Sequence, residues 1–574
     1  MNWHGISFLL LAIAIGTAGC KGGPSGHLFG PTPPSATPTV TSVTPSSATA
    51  GGTGFALTVN GSNFISGAQV ELTNPGNFAM PVARPATTFV SATQLTTQVS
   101  AAEIASPGTL QVSVFNPNFS VTSNMVRFVV NPGAPGVTGT ISVAANGATP
   151  NGNSHDPVLS ATGQFVAFSS EATNLFSAGT KFPEGYVRDT CLGAENCTST
   201  TQLVSAISGG SSEGNGQGGA TPSIGNQGRF VGFLSTATDL VTPNTATQQS
   251  YLRDTCADAP AGCMPITVLA SVMQGGGAPN EAGIEFMIAN NGCAAAFVSA
   301  GTNVLSGVSA PDEVYVSSCS SGGPAGGFTT TTLVSASNSG VAGDQGGQQP
   351  AISTDGRFVA FASTSTNLTS TPNGGAQQIY LRDTCLQAGS GCAASTTMVS
   401  VDSSGNALAG SSQFPAISDD GRFVVFNTQV PLPTGGIMSD VPIHDTCNSS
   451  SGPVSNCVRS TNKVSVASNG GASNGASSSG RHAVSGDGRF VVFSSSATDL
   501  IAGGNPATQV FVRDTCQSSS GNVSGCTPST VLISKNSSGA VTGGFNAAIS
   551  TDGHFAAFEN ETTIFRILFA ATGF

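Results

Sequence analysis

Charge is what this sequence has least of. Asp, Glu, Lys and Arg make up 8% of its 574 residues, against about 25% in an average soluble protein. Lys+Arg 17 against Asp+Glu 29 leaves a net charge of −12. So few cations do not neutralise a phosphate backbone, which argues against nucleic acid as a partner. Glu, Lys and Leu are too scarce for a coiled coil. The apolar run near the N-terminus, Ile6 to Ile15, is too short to span a bilayer as a helix. Signatures of chemistry are missing as well. His155, His444, His482 and His554 are scattered along the chain without HExxH or other metal spacing. No loop has the Asp-rich pattern of a calcium site. Gly210-Ser211-Ser212-Glu213-Gly214 and Gly471-Ala472-Ser473-Asn474-Gly475 match G-x-S-x-G, but neither follows a buried strand and opens a helix, as a nucleophile elbow requires. On this basis no catalytic residue, metal ligand or cofactor site is assigned.

What is present is glycine, 74 residues, about twice the usual share, with Ser, Thr, Val and Phe. Hydrophobic residues are 39% of the chain, which separates it from a disordered polyelectrolyte. The profile predicts a large all-β protein with many tight turns, long enough for several domains.

Residues 1–20 read as an export leader. The apolar run is followed by Thr17-Ala18-Gly19-Cys20, and small residues before a cysteine resemble the lipobox of bacterial lipoproteins. The resemblance implies that Cys20 is acylated and becomes the mature N-terminus, anchoring the protein in a membrane. Thr17 stands where Leu is usual, and Met1 to Gly5 carries no Lys or Arg; an ordinary cleaved signal peptide is the alternative. Lys21 follows the cysteine where, by the same resemblance, an Asp would favour the inner membrane. The expected location is therefore the outer membrane or cell surface, with the periplasmic face as the other possibility. Residues 21–38 are rich in Gly and Pro and form a tether of at most about 50 Å, at roughly 3.1 Å per residue.

Removing Cys20 from the thirteen cysteines leaves twelve. They fall in sequential pairs: Cys191/Cys197, Cys256/Cys263, Cys293/Cys319, Cys385/Cys392, Cys447/Cys457 and Cys516/Cys526. Zinc is the rival reading, but each pair supplies two ligands where four are needed. Local disulfides in an oxidising compartment are the expectation.

Residues 39–131 carry a self-contained strand pattern. Phe55, Leu57 and Val59 alternate with Ala56 and Thr58, and Asn60-Gly61 is a turn signal. Further strands are read at Thr87–Val90, Gln94–Val99, Gly108–Val114 and Arg127–Val130. Pro45 with Gly51-Gly52, then Val59-Asn60-Gly61-Ser62-Asn63-Phe64, then Thr88-Phe89 and Leu95, resemble the IPT/TIG domain. That resemblance implies an immunoglobulin-like sandwich acting as a spacer. Residues 132–139 read as a linker.

From residue 140 to 574 one unit repeats. Its anchor is Gly356-Arg357-Phe358-Val359-Ala360-Phe361, with counterparts beginning at Gly163, Gly228, Gly292, Gly421, Gly488 and Gly553. Successive glycines are 65, 64, 64, 65, 67 and 65 residues apart, which is a repeat architecture. Each unit holds four strand candidates, the composition of a β-propeller blade. Asp355 to Phe361 resembles the WD40-like repeats of TolB-type propellers. The seventh copy lacks a fourth strand, and Thr140 to Ala145 looks like an orphan one. The expected fold is thus a sandwich followed by a seven-bladed propeller closed by an N-terminal strand, with six blades as the alternative.

The recurrent charges are Arg229, Arg357, Arg422 and Arg489 in the anchors, and Arg188-Asp189, Arg253-Asp254, Arg382-Asp383, His444-Asp445 and Arg513-Asp514 in the third strands. A residue used in every repeat serves structure, as a turn cap or a cross-strand pair. In the third repeat Cys293 replaces the Arg, and a Cys293/Cys319 disulfide is expected to replace the polar pair. The functional expectation is a monomeric, non-catalytic binding or scaffolding protein of the cell envelope, its partners being envelope proteins or extracellular glycans. The alternatives are a propeller-type polysaccharide hydrolase or lyase, and a TolB-like component of a transport assembly. An acidic cluster of non-repeat residues at the channel mouth would favour an enzyme.

Overall fold

A computed structural model describes residues 37–569, apart from 74–83, 132–137, 192–197, 432–436 and shorter loop stretches. Cys20, Cys197 and the leader and tether calculated above lie outside the described residues, save Thr37 and Pro38. The described chain is all β, with helix confined to short 3-10 turns such as Pro324–Gly326.

The N-terminal unit is two sheets face to face. One runs Thr39–Thr44, Phe55–Ser62, Gln94–Val99, Thr87–Ser91; the other Ser47–Thr49, Val126–Asn131, Gly108–Asn116, Gln69–Thr73. The alternation expected from the sequence sets the core: Leu57, Val59 and Leu95 from one sheet meet Val70, Val112, Val114 and Phe128 from the other.

Each later repeat folds into one antiparallel sheet whose strands follow chain order. Repeat 4 is typical: Gln348–Ile352, Phe358–Ser363, Gln378–Asp383 and Ser395–Met398. Repeat 5 adds a strand, Ile437–Asp440, on its second strand. Repeat 6 shortens its first strand to Ser477–Ser478. The last repeat supplies Phe545–Ile549, Phe555–Asn560 and Thr563–Leu568, and its fourth strand comes from the other end of the region. That strand is Thr138–Thr140, with Thr138 opposite Ile567, Gly139 opposite Arg566 and Thr140 opposite Phe565. It therefore lies earlier than the expected Thr140 to Ala145 and takes up the end of the expected 132–139 linker. The reason is a serine that stops the strand. Ile564 N–H donates to Ser142 Oγ at 3.1 Å, as Val314 N–H donates to Ser335 Oγ at 2.8 Å where the third repeat's fourth strand ends. In both places a tight turn follows at once, Val143 N–H to Ile141 O and Ala336 N–H to Val334 O.

One contact joins successive sheets. The anchor glycine has φ between 67° and 82° in every repeat, and the first aromatic of the preceding anchor lies where its side chain would be. A Cβ on Gly228 would sit 2.2 Å from the Phe165 ring, and one on Gly421 2.3 Å from Phe358. Gly292, Gly488 and Gly553 face Phe230, Phe423 and Phe490 in the same way, and Gly163 of the first repeat faces Phe555 of the last. Gly356 meets Ala294, the smaller residue that the third repeat has in the phenylalanine position. The second anchor aromatic stays within its own sheet. Phe361, for example, stacks on Tyr380 of the third strand with centroids 5.7 Å apart.

The recurrent charges hold the outer loops. Arg229, Arg357, Arg422 and Arg489 clasp Asp254, Asp383, Asp445 and Asp514 through two bonds each, with Nη2–Oδ2 at 2.6–2.8 Å. Each guanidinium lies 4.7–5.0 Å over the adjacent Phe ring. Each Asp also accepts the N–H of the cysteine two residues on, at 2.8–2.9 Å. Disulfides close Cys256–Cys263, Cys385–Cys392, Cys447–Cys457 and Cys516–Cys526, and Cys293–Cys319 links the second and third strands of repeat 3. Cys191 is disulfide-bonded too. In the last repeat His554 and Leu568 stand at the Arg and Asp positions. Arg566 takes over, lying 4.9 Å over Phe555 and donating to Gly163 O and Thr190 Oγ1 of the first repeat, each at 2.6 Å.

The glycine contact is testable by contrast. Gly421→Ala meets the Phe358 ring, so backbone strain of about 1–2 kcal/mol is joined by overpacking of about 1–3 kcal/mol. Gly405, at φ +83° with nothing within 4 Å, should lose only the strain. Chemical denaturation of the two variants should show Gly421→Ala clearly the less stable; equal loss would remove the contact from its spacing role.

Candidate functional site

First strands of neighbouring repeats touch along an inner axis in repeats 1 to 5 and between repeats 1 and 7. Seven residues before each anchor glycine stand Asp156, Thr221, Glu285, Gln349, Phe414, Arg481 and Asn546, in the first strand of every repeat except the sixth, whose Arg481 lies in the turn after Ser477–Ser478. No two are alike, and the position just before is nearly as varied, from His155 and Ala220 to Gly480 and Phe545. Five of the seven, Asp156, Thr221, Gln349, Phe414 and Asn546, have φ between 46° and 56°. Each of these lies where the pairing of first and second strands shifts register. A bulge re-aims a side chain, and left-handed backbone at a non-glycine residue carries strain that sites exploit.

Arg481 and Glu285 show where these side chains go. They belong to repeats 6 and 3, which are not neighbours in the chain, yet Arg481 Nη2 and Glu285 Oε1 are 3.1 Å apart. The pair spans the axis. Neighbouring repeats are laced to it: Gln349 N–H donates to Glu285 Oε2, and Phe414 N–H to Gln349 Oε1 at 2.8 Å. On the other side Glu559, fully buried in the last repeat's second strand, accepts from Asp156 N–H at 2.6 Å and Asn546 Nδ2 at 3.0 Å, with His155 Nδ1 at 3.5 Å. Burial raises the carboxyls of Asp156, Glu285 and Glu559 above their ordinary range, and Arg481 pulls Asp156 and Glu285 part of the way back. Arg481 Nη1 is buried without a hydrogen-bond partner among the described residues, and so is Thr221 Oγ1. The Asp156 carboxylate accepts no hydrogen bond there.

At the opposite end of the first strands, main-chain bonds join the turns of several neighbouring repeats. Ala161 N–H donates to Asn226 O, Asn290 to Thr354, Thr354 to Asp419, Asp419 to Gly486, Gly486 to Thr551, and Asp552 to Ala161, at 2.8–3.2 Å. Asp419 sits among these turns with its carboxyl pushed up to about 6, mainly by burial and further by Asp420, Asp487 and Asp355.

Three acids lie outside the recurrent positions: Glu559 accepts from Asp156 N–H, and Glu285 pairs with Arg481. Recurrence in the sequence does not reveal them, because the positions vary between repeats and nothing local marks them as meeting. Metal ligation finds no support. Asp254, Asp383, Asp445 and Asp514 each lie near two cysteine sulfurs, but those sulfurs are in disulfides and the carboxylates already bind Arg. Two further buried acids serve the fold. Glu184 and Glu313 each accept from the serine that caps the third strand, Ser205 and Ser335, where other repeats have Gln249, Gln378 and Gln509. Burial pushes Glu184 up to about 8 and Glu313 to about 7, against the pull of the serine bond.

Residues 38–126 match the family model of the IPT/TIG domain. The first sheet pair is that domain. No curated protein matches the chain in sequence. Among solved structures it is similar to an ancestral GH74 enzyme at 11% identity and a TM-score of 0.37, covering 91% of this chain and 64% of that one. It is similar to the tricorn protease at 9% and 0.36, covering 82% and 37%, and to Trypanosoma rangeli sialidase at 14% and 0.29, covering 64% and 58%. The chain spans roughly a third to two thirds of these structures, and at such scores none transfers a site.

The two buried glutamates give a pH dependence with a fixed sign. A raised carboxyl lends its stability fully below the ordinary value of 4.5 and has lost it once pH passes about 8 for Glu184 or about 7 for Glu313. Wild-type protein should therefore melt lower at pH 9 than at pH 5, and Glu184→Gln with Glu313→Gln should remove part of that fall. Parallel melting curves across the range for wild type and the double variant would refute the assignment.

Proposed function

We propose that this chain is an exported, membrane-anchored binding protein of the bacterial cell envelope, lipidated at Cys20 and facing the outer membrane or cell surface. The IPT/TIG domain is its spacer. The repeats from Thr138 onward are a seven-bladed β-propeller closed by the N-terminal strand. Support for closure comes from that strand's pairing with Thr563–Leu568 and from the Phe555 and Arg566 contacts of the last repeat with the first. Export is supported by the disulfides of nearly every repeat. Among the described residues no helix is long and apolar enough to cross a membrane, so the anchor in this reading is the lipid.

The observation that carries the function is the column of seven unlike residues at the axis. That offset from the anchor glycine brings Arg481 of repeat 6 onto Glu285 of repeat 3, and the residue type there differs in every repeat. A polar ligand with both donors and acceptors, a glycan or a protein loop, suits Asp156, Thr221, Gln349, Arg481 and Asn546 around Phe414. The second reading, a polysaccharide hydrolase or lyase, gains from Asp156, Glu285 and Glu559. Paired-carboxylate chemistry needs two acids free to exchange protons. Here Glu285 is held by Arg481 and Gln349, and Glu559 by Asp156 and Asn546. One unengaged acid, Asp156, favours binding over turnover.

A pull-down of envelope proteins and polysaccharides on the intact protein, compared with Asp156→Ala/Arg481→Ala, tests this. Capture lost in the double variant supports the axial site. Capture unchanged overturns it, and release of shortened glycan by wild type but not by Asp156→Asn would install the enzyme instead. For the anchor, Cys20→Ser should leave the protein soluble after cell fractionation; continued sedimentation with membranes would exclude lipidation at that residue.

A further inference from the structure

A second hollow lies away from the axis, between repeats 4 and 5, where His444 stands at the position of the third-strand arginine. In repeats 2 and 4 the third-strand arginine fills the gap between sheets. Arg382 donates to Thr396 Oγ1 at 2.9 Å on its own fourth strand, and to Ala336 O and Ser337 O of the preceding repeat at 3.2 and 2.9 Å. Arg253 likewise binds Thr267 and crosses to Ile207 O and Gly210 O. Repeat 5 has His444 at this position. Its Nδ1 reaches Thr461 Oγ1 at 2.8 Å, but among the described residues it makes no bond across to the 401–405 loop. The unfilled space is a cavity of about 410 Å3, within the range of small-molecule sites, about 300–1,000 Å3. A smaller hollow on the same His444 and Arg459 adjoins it.

The lining is polar and close to neutral. Arg459 is the cation and Asp402 the anion, with Asn338, Thr397 and several serines adding donors and acceptors, and Met398 an apolar floor. Burial and the nearby Arg459 hold the His444 imidazole down at about 4, so it is uncharged at neutral pH. Backbone and side-chain hydrogen bonds from Asn406 and Ser404 keep Asp402 ionised. Balanced charge disfavours a strongly ionic ligand. Dense hydroxyl, amide and charged hydrogen-bonding groups around a mixed surface favour a neutral polyhydroxylated one. We propose that the cleft between repeats 4 and 5 is a binding site for a neutral sugar unit of mono- or disaccharide size, opened by His444 in place of the repeat's arginine. It does not depend on the axial reading.

Saturation-transfer NMR of the full chain with cellobiose, maltose, lactose and N,N′-diacetylchitobiose, followed by titration of any binder, tests the site. At least one sugar should bind wild type. His444→Arg restores the repeat's own residue and should weaken it about tenfold or more, Ser403→Trp at the exposed cavity rim should do the same, and Met264→Ser, exposed in repeat 2, should stay within about twofold. The thermal midpoint of His444→Arg should match or exceed wild type, which separates lost binding from lost fold; Ser403→Trp decides if it does not. The site is refuted if none of the four sugars binds, if both cavity variants bind as wild type does, or if Met264→Ser weakens binding as much as they do.

Discussion

A phenylalanine ring laid on the glycine of the next repeat spaces the sheets, and the rest of the repeat region depends on that spacing. Only a residue without Cβ leaves room for the ring, and only one tolerant of φ near +75° makes the turn that presents it. The contact runs from Phe165 on Gly228 through to Phe490 on Gly553, then from Phe555 on Gly163. The third repeat has Ala294 in the ring position, and it is also the repeat in which the Cys293–Cys319 disulfide joins the strands directly. Where the ring is lost, a covalent link stands beside the gap.

With so few charges in the chain, their placement is informative. The anchor arginines are committed: each is clasped by an Asp, stacked on a Phe, and set against a disulfide loop. Such half-buried bidentate pairs hold geometry well, since breaking one strands a partner charge. The last repeat keeps the same stacking place over Phe555 but fills it from a neighbouring strand with Arg566, whose bonds reach the first repeat. A substitution that looks like decay of the motif thus carries the contact between the two ends of the repeat region.

The charges left over collect at the axis. Glu285 and Arg481 pair across it, and Glu559 gathers Asp156, Asn546 and His155. These bonds tie elements of different repeats together. At the other end of the first strands, the turns of several neighbouring repeats are joined by backbone hydrogen bonds.

The IPT/TIG strands, the four-strand repeat, the anchor and five of the six cysteine pairs were legible in the sequence, because each rests on local periodicity or on residues of one repeat. Leu57 and Val59 face inward because alternate residues of a strand share a face, and Cys385 meets Cys392 because six residues separate them. The closing strand was legible in kind but not in register, since Ser142, not hydrophobicity, sets where it ends. What tertiary structure alone decided is the axial site. Glu285 and Arg481 are 196 positions apart, in segments whose local sequence says nothing of their meeting. The contact is a product of how the repeats pack against one another, and the cleft beside His444 likewise exists only between two sheets already packed.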